Sequence, residues 1–345
     1  MRFLIYGAGA VGGYLGGRLA EAGHDVVFLA RPALAAVLRA QGLRLEEGTS
    51  ARTLTHFEVL TELPRGLDLG PEAAVLLCVK TFDGAAAAVA LRAHPRLTAP
   101  VVCFLNGIGS EQMLAEALGA DRVIPATLTS AVEMRAPGTV RVERARGLGL
   151  AGDAASRAVA QALLEGGLKV RRYADGAAMK WSKLPTNIVA NASSAILGWS
   201  PGAVMRHPGL YRLEVEALRE TFRVMRREGL APVDLPGVPI TWLARGIFLP
   251  PYASRPWLSR AVARGRGDKL PSFHRDLGLG RSEVRWLNGA VVDHGERDGV
   301  TTPANAVLQS TLLALVEGRD DPVSWRDRPE RLLQRAREAG VPGIA

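Results

Sequence analysis

The sequence predicts a doubly wound α/β domain followed by an all-helical one, and three observations predict it. Short, uniformly apolar runs alternate with helix-like segments through the first half. Strands that are apolar along their whole length belong to a parallel sheet covered on both faces. A glycine run, GAGAVG, stands between the first apolar run and the first helix. After Asp175 the pattern changes to long helical periodicities. At 345 residues one core would be unusually large, so two domains are expected, at 1–174 and 175–345.

Taken in order, RFLIYG reads as a strand, AVGGYLGGRLAEAG as a helix ending at Gly23, and DVVFLA as the next strand. AAVLLCVK and PVVCFLNG are further apolar strands, each followed by a helix (DGAAAAVALRA and SEQMLAEALG). Shorter strands with a turn at APGT follow from Val123 to Ala151, and ASRAVAQALLEGG with LKVRRYA closes the first domain. The second domain is carried by MKWSKLPTNIVANASSAIL, LYRLEVEALRETFRVMRREG, SEVRWLNGAVVDHGERDG and ANAVLQSTLLALVEG. Between them, residues 232–272 are rich in proline and tryptophan and read as an irregular excursion.

Composition excludes several classes. The net charge is +9, but the arginines are scattered among acids, as in RDDPVSWRDRPERLLQRAREAG, and no nucleic-acid motif accompanies them. The six histidines are isolated and form no zinc-ligand spacing with the two cysteines, so no metal is expected. Cys78 and Cys103 sit in apolar strands and read as buried thiols of a reducing cytoplasm. The apolar N-terminal stretch is short and broken by glycines, so neither a signal peptide nor a membrane partner is expected.

The glycines lie where a dinucleotide fingerprint needs them, after a strand and at a helix start. Gly7 permits the turn, Gly9 lets the backbone approach a pyrophosphate, and Gly12 allows close helix–strand packing. Ala8, Ala10 and Val11 complete the loop, and the helix N-terminus offers N–H groups to the phosphates. This makes the first domain Rossmann-type. An NAD site usually carries Asp or Glu at the end of the second strand. DVVFLAR has Arg31 there instead, whose guanidinium can pair with a 2′-phosphate, so NADPH is the expected cofactor.

In WSKLPTNIVAN, Lys183, Asn187 and Asn191 are spaced four and four. Each such step turns a helix by about 40°, so the three form one polar stripe. Their apolar neighbours point to burial, where an unpaired lysine is costly; a solvated helix face is the plain alternative. Pro185 requires a first turn or a kink, and Lys180 is a second lysine, about 60° from Lys183.

GAGAVG, VKTFD, NGIG, WSKLPTNIVAN and SEVRWLNG, in this order over nearly the whole chain, resemble the ketopantoate reductase (2-dehydropantoate 2-reductase) family. The resemblance implies the architecture of that family, a Rossmann-type domain plus an all-α C-terminal domain, 6-phosphogluconate-dehydrogenase-like. It implies NADPH contacts at Gly7 to Gly12, Arg31, Lys80, Asn106 and a backbone group near Val132. It implies Lys183 as general acid, substrate contacts at Asn106, Asn187, Asn191 and Ser272, and a catalytic or substrate-binding role for Glu283. The reaction implied is reduction of 2-dehydropantoate to pantoate, a step of pantothenate and coenzyme A synthesis. Apart from the resemblance, Lys80 reads equally as a strand-end charge, Asn106-Gly107 as a turn pair, and Glu283 as a helix N-terminal acid beside the cap Ser282.

Three features depart from the family pattern. Arg285 stands where an acid is usual, and the Ser272–Glu283 spacing is one residue short. The excursion at 232–272 also makes the chain longer than a typical member. These departures bear on the substrate, a small 2-keto acid, rather than on the cofactor. A related NADP-dependent reductase of another 2-keto or β-hydroxy acid is the alternative reading, and a non-enzymatic NADP(H)-binding sensor a further one. The helical half offers amphipathic faces for a homodimer.

Overall fold

A computed structural model describes residues 1–152, 154–266 and 272–344. The chain divides into two compact units, Met1–Lys180 with Leu235–Val238, and Trp181–Asp234 with Pro239–Ala345. The division falls at Lys180, six residues beyond the expected 174.

The first unit contains β1 (Arg2–Tyr6), α1 (Ala10–Glu21), β2 (Asp25–Leu29), α2 (Pro32–Gln41), β3 (Leu43–Glu47), β4 (Ser50–Leu54), β5 (Glu58–Leu60) and β6 (Ala73–Leu77). It continues with α3 (Gly84–Arg92), β7 (Val101–Cys103), α4 (Ser110–Leu118), β8 (Val123–Leu128), β9 (Ala131–Ala136), β10 (Thr139–Arg144), β11 (Leu148–Ala151), α5 (Ala154–Glu165) and β12 (Val170–Tyr173). An eight-stranded sheet has the order β12-β11-β8-β7-β6-β1-β2-β5, and β4-β3-β10-β9 form a second, smaller sheet. In the large sheet only the β8–β11 pair is antiparallel.

The apolar runs become strands because both faces are covered. Phe3, Ile5, Val26 and Phe28 face one core, while Leu4, Val27, Val75 and Leu77 face the other. This is the alternation of a strand buried on both sides. The small sheet was not separated from the large one by the sequence, and it lies against α1. A Cβ placed on Gly13 would meet Val140 at 2.9 Å, and one on Gly17 would meet Leu45 at 2.8 Å. Cys78 and Cys103 are free thiols, and burial pushes both well above the usual thiol range.

A helix, α6 (Gly176–Ile188), runs across the division at Lys180. The second unit continues with α7 (Ala192–Leu197), α8 (Pro201–Arg206), α9 (Pro208–Arg227), α10 (Ile240–Gly246), α11 (Pro251–Arg266), α12 (Ser272–Asp276), α13 (Asn288–Asp298), α14 (Pro303–Val316) and α15 (Pro329–Glu338). Helices α8, α9, α14 and α15 each open on a proline, whose missing N–H costs nothing there. The excursion 232–272 is a correction to the sequence reading: α10 and α11 make much of it helical. Its prolines hid this because Pro251 opens α11 and Pro256 lies inside its first turns. The stretch Leu235–Val238 belongs to the first unit, where Pro236 accepts a hydrogen bond from Thr129 Oγ1 at 2.8 Å.

Helix α9 is the axis of the second unit and carries three buried carboxyls, Glu214, Glu216 and Glu220. Glu216 ion-pairs with Arg219 and Arg223. Glu220 accepts from the Ala304 and Asn305 N–H groups and from Asn305 Nδ2, at 2.7–2.9 Å, and so caps α14. Burial pushes the Glu220 carboxyl up to about 7, against the pull of those three donors. Among the described residues no helix is long and apolar enough to cross a membrane.

Candidate functional site

The register of the large sheet assembles the first group of site residues. Tyr6 pairs with Leu29 on one side and Leu77 on the other, and Leu77 pairs with Cys103. The ends of β2, β1, β6 and β7 are therefore level. Gly7, Arg31, Lys80 and Asn106, which follow those strands, emerge along one carboxyl edge, where such sheets bind ligands.

Each glycine of the loop does what its position requires. Gly7 has φ +103°, and a Cβ there would lie 2.9 Å from Val79 Cγ1. A Cβ on Gly12 would be 2.0 Å from the Gly7 carbonyl oxygen, so helix and strand touch through backbone. Gly9 faces open space, with nothing within 4 Å of an added Cβ. Helix α1 has no side-chain cap and no acid in its first turn. Its positive end is thus left for an anion, and the loop fits a dinucleotide's pyrophosphate. Ala8 is buried, while Ala10 and Val11 are half-buried at the helix start.

Arg31 is exposed, and its guanidinium donates to Asp83 Oδ2 at 3.2 Å. Lys80 is exposed at the N-cap of the turn Thr81–Asp83. Thr81 Oγ1 donates to the Asn106 carbonyl at 2.9 Å, which ties the loop after β6 to the loop after β7. Asn106 stands exposed on a turn whose Gly107 and Gly109 have φ +80° and +94°. Val132 is half-buried in β9 of the small sheet.

Below Asn106 lies a buried cation that sequence periodicity presented only as a neighbour of Lys183. Lys180, 6% exposed, donates to the Leu105 carbonyl at 2.5 Å and the Ala126 carbonyl at 3.4 Å, and pairs with Glu111 at 2.7 Å. Burial pulls its ammonium down, but the Glu111 carboxylate, by its charge and a hydrogen bond, holds its pKa above the ordinary lysine value.

The second group lies in the helical unit. Lys183 and Asn187 are one turn apart on α6, both half-buried. Lys183 Nζ donates to Thr186 Oγ1 at 3.0 Å, and that hydroxyl donates to the Lys183 carbonyl. The expected three-residue stripe does not continue to Asn191: α6 ends at Ile188, Ala190 takes a left-handed φ of +50°, and Asn191 starts α7. Pro185 lies inside α6, and Val189 N still donates to its carbonyl at 3.2 Å. Glu214 holds the break. It accepts from Ala190 N at 2.6 Å and from Ser193 Oγ at 2.5 Å.

Asn191 is 3% exposed. Its Nδ2 donates to the Asn187 carbonyl at 2.8 Å and reaches Ser272 Oγ at 3.4 Å, while its Oδ1 accepts from Phe273 N at 3.3 Å. The side chain joins the end of α6 to the start of α12. At the other end of α12, buried Asp276 accepts from Ser282 Oγ at 2.8 Å and from Glu283 N at 3.4 Å. Ser282 caps the turn Glu283–Trp286, as its sequence position suggested, and Glu283 is 3% exposed. One hydrogen-bonded frame therefore links Asn187, Asn191, Ser272 and Glu283. Asp276 bridges the short Ser272–Glu283 spacing. Arg285 is exposed and pairs with Glu317.

Comparison with known proteins gives the family of the fold. Residues 3–152 match the family model described as ketopantoate reductase PanE/ApbA, and 175–316 match that of its C-terminal domain. A 2-dehydropantoate 2-reductase of Halobacterium salinarum is 29% identical over 326 residues, covering 89% of this chain and 96% of the relative. The crystal structure of a PanE/ApbA family ketopantoate reductase from Ralstonia eutropha JMP134 is 31% identical, with a TM-score of 0.76 over 92% of this chain and 99% of that one. D-mandelate dehydrogenase, solved with NADH and anilino(oxo)acetate, shares the fold at 19% identity, with a TM-score of 0.74 over 92% of this chain and 99% of that one.

Proposed function

The chain belongs to the ketopantoate reductase family, and we propose that it reduces 2-dehydropantoate to pantoate with NADPH. The observation that carries this reading is the frame in the helical unit, which sets Lys183 and Asn187 on one face of α6 and braces them through Asn191 to Ser272. Bound NADPH supplies the hydride.

The chain's own residues have three tasks. Gly7 to Gly12 and the start of α1 hold the pyrophosphate, and Arg31 and Lys80 supply cations to the rest of the dinucleotide. Asn106 and Asn187 orient the keto acid. Lys183 donates its proton to the carbonyl oxygen and stabilises the developing alkoxide. Thr186 keeps the Lys183 ammonium turned along α6. Ser272 receives the substrate carboxylate and Glu283 a hydroxyl group, at positions fixed by Asn191 and Asp276.

The test is NADPH oxidation by the purified chain, with 2-dehydropantoate beside a panel of other 2-keto acids. Rapid turnover of 2-dehydropantoate alone supports the reading. Preference for another 2-keto acid moves the substrate and retains the reaction, with the short link through Asp276 as the first place to look. NADPH binding without turnover of any keto acid refutes it.

A further inference from the structure

The sequence shows no carboxylate at the end of β2, and that absence suggested a site built purely for a 2′-phosphate. The fold supplies a carboxylate from elsewhere. β2 and β6 flank β1 in register, so the residues after both strands emerge beside Gly7. Arg31 follows β2, Asp83 follows β6, and the two meet at 3.2 Å. The Arg31 side chain is 81% exposed and that of Asp83 24%. The carboxylate is thus set into the wall of the site, and the arginine reaches across to it. Tyr6, the last residue of β1, has its hydroxyl pKa raised, by burial first and then by the charge of Asp83.

We propose that Asp83 is a cofactor-selectivity residue, a counterweight to Arg31 that narrows the margin of NADPH over NADH. The proposal rests on the reading that Arg31 holds the 2′-phosphate. An exposed ion pair is weak, and a phosphate matches the guanidinium fork better than one carboxylate does, so NADPH takes Arg31 from Asp83. Asp83 then faces the added negative charge of the phosphate with Arg31 shared between the two anions. Across several ångströms near a protein surface, such repulsion weakens binding roughly three- to tenfold per charge. NADH meets the opposite situation. It brings no charge at the 2′ position, and its 2′-hydroxyl can donate to the carboxylate, as it does to the acid of an NAD-type site.

The perturbation is Asp83→Asn, which keeps shape and removes charge. Asp83 precedes α3 and makes no side-chain cap bond to it. Dissociation constants for NADPH and NADH are measured by cofactor fluorescence on the full chain, for wild type, Asp83→Asn, Asp83→Ser and Arg31→Gln. The expected result is a rise of about three- to tenfold in the NADPH:NADH affinity ratio for both Asp83 variants, smaller at high salt. A ratio within about twofold of wild type in both, with NADPH still lost in Arg31→Gln, overturns the role of Asp83 and leaves Arg31 standing. Unchanged NADPH affinity in Arg31→Gln overturns the reading of Arg31, and the proposal with it.

Discussion

Lys180→Met removes one buried ammonium and keeps most of the side-chain stem. The ammonium serves three acceptors, the Leu105 and Ala126 carbonyls and the Glu111 carboxylate. Removing one partner of a buried pair typically costs about 3–5 kcal/mol, because the other charge is left without compensation. Glu111 keeps 20% of its side-chain surface exposed and regains some water, so the lower end applies, about 3 kcal/mol. For a unit of this size each kcal/mol moves Tm by about 2–4 °C, giving a drop of about 6–12 °C in the transition of the first unit. Calorimetry with urea unfolding as a second probe measures it. Lys180→Met/Glu111→Leu should recover most of the loss, since apolar replacement of a whole buried pair is often near neutral. A single-variant loss below about 1 kcal/mol, or a double variant worse than the single, would refute the reasoning. The pH dependence has a definite sign. The folded pKa of Lys180 is raised, so its stabilisation is complete below the unfolded value of 10.5 and is lost as pH climbs through the higher folded value. Lys180→Met should therefore flatten the alkaline limb of the stability curve.

Lys183→Ala should lower kcat by about 10²–10⁴-fold in the keto-acid assay and leave the NADPH dissociation constant nearly unchanged, as befits loss of a general acid. Glu214→Ala strands the buried Ala190 N–H and Ser193 hydroxyl, for about 2–5 kcal/mol in urea unfolding. It should also raise KM for the keto acid more than KM for NADPH, because the brace at Asn191 follows that turn. Adding Ala190→Gly, which relaxes the left-handed φ, should return part of the KM effect. Glu220 titrates in the fold at about 7 against an ordinary value of 4.5. The fold therefore binds the extra proton, and stability gains as pH falls from about 8 to 6, a slope absent from Glu220→Gln in thermal melts at matched pH values.

The cofactor edge was legible because its requirements are local. A strand, a tight turn and a helix start must follow each other in sequence, and GAGAVG with its flanks displays all three. Register then carries Lys80 and Asn106 to the same edge, because each stands a fixed number of residues beyond a parallel strand. What the sequence concealed depends on contacts distant in the chain. Asp83 is 52 residues from Arg31, and no rule applied to the end of β2 can detect it. Periodicity placed Lys180 only as a lysine off the Lys183 stripe, yet it is buried on carbonyls 75 and 54 residues away while Lys183 stays half-open.

The stripe Lys183, Asn187, Asn191 shows the limit of periodicity most clearly. Four-and-four spacing is the same whether a helix continues or stops, and here it stops at Ile188. What decides the outcome is Glu214, whose carboxyl takes the Ala190 N–H and makes a left-handed residue tolerable inside a buried segment. After the break Asn191 is the joint between α6 and α12, with Phe273 N–H on one end of its amide and Ser272 near the other. A straight helix would have presented three polar groups in one line. The broken one presents two and uses the third to fix Ser272, the residue whose altered sequence spacing had cast the substrate end into question. The geometry of that end is therefore set by a carboxyl on α9 that no motif includes, and substitutions at Glu214 and Asp276 test it more directly than changes to the motif residues themselves.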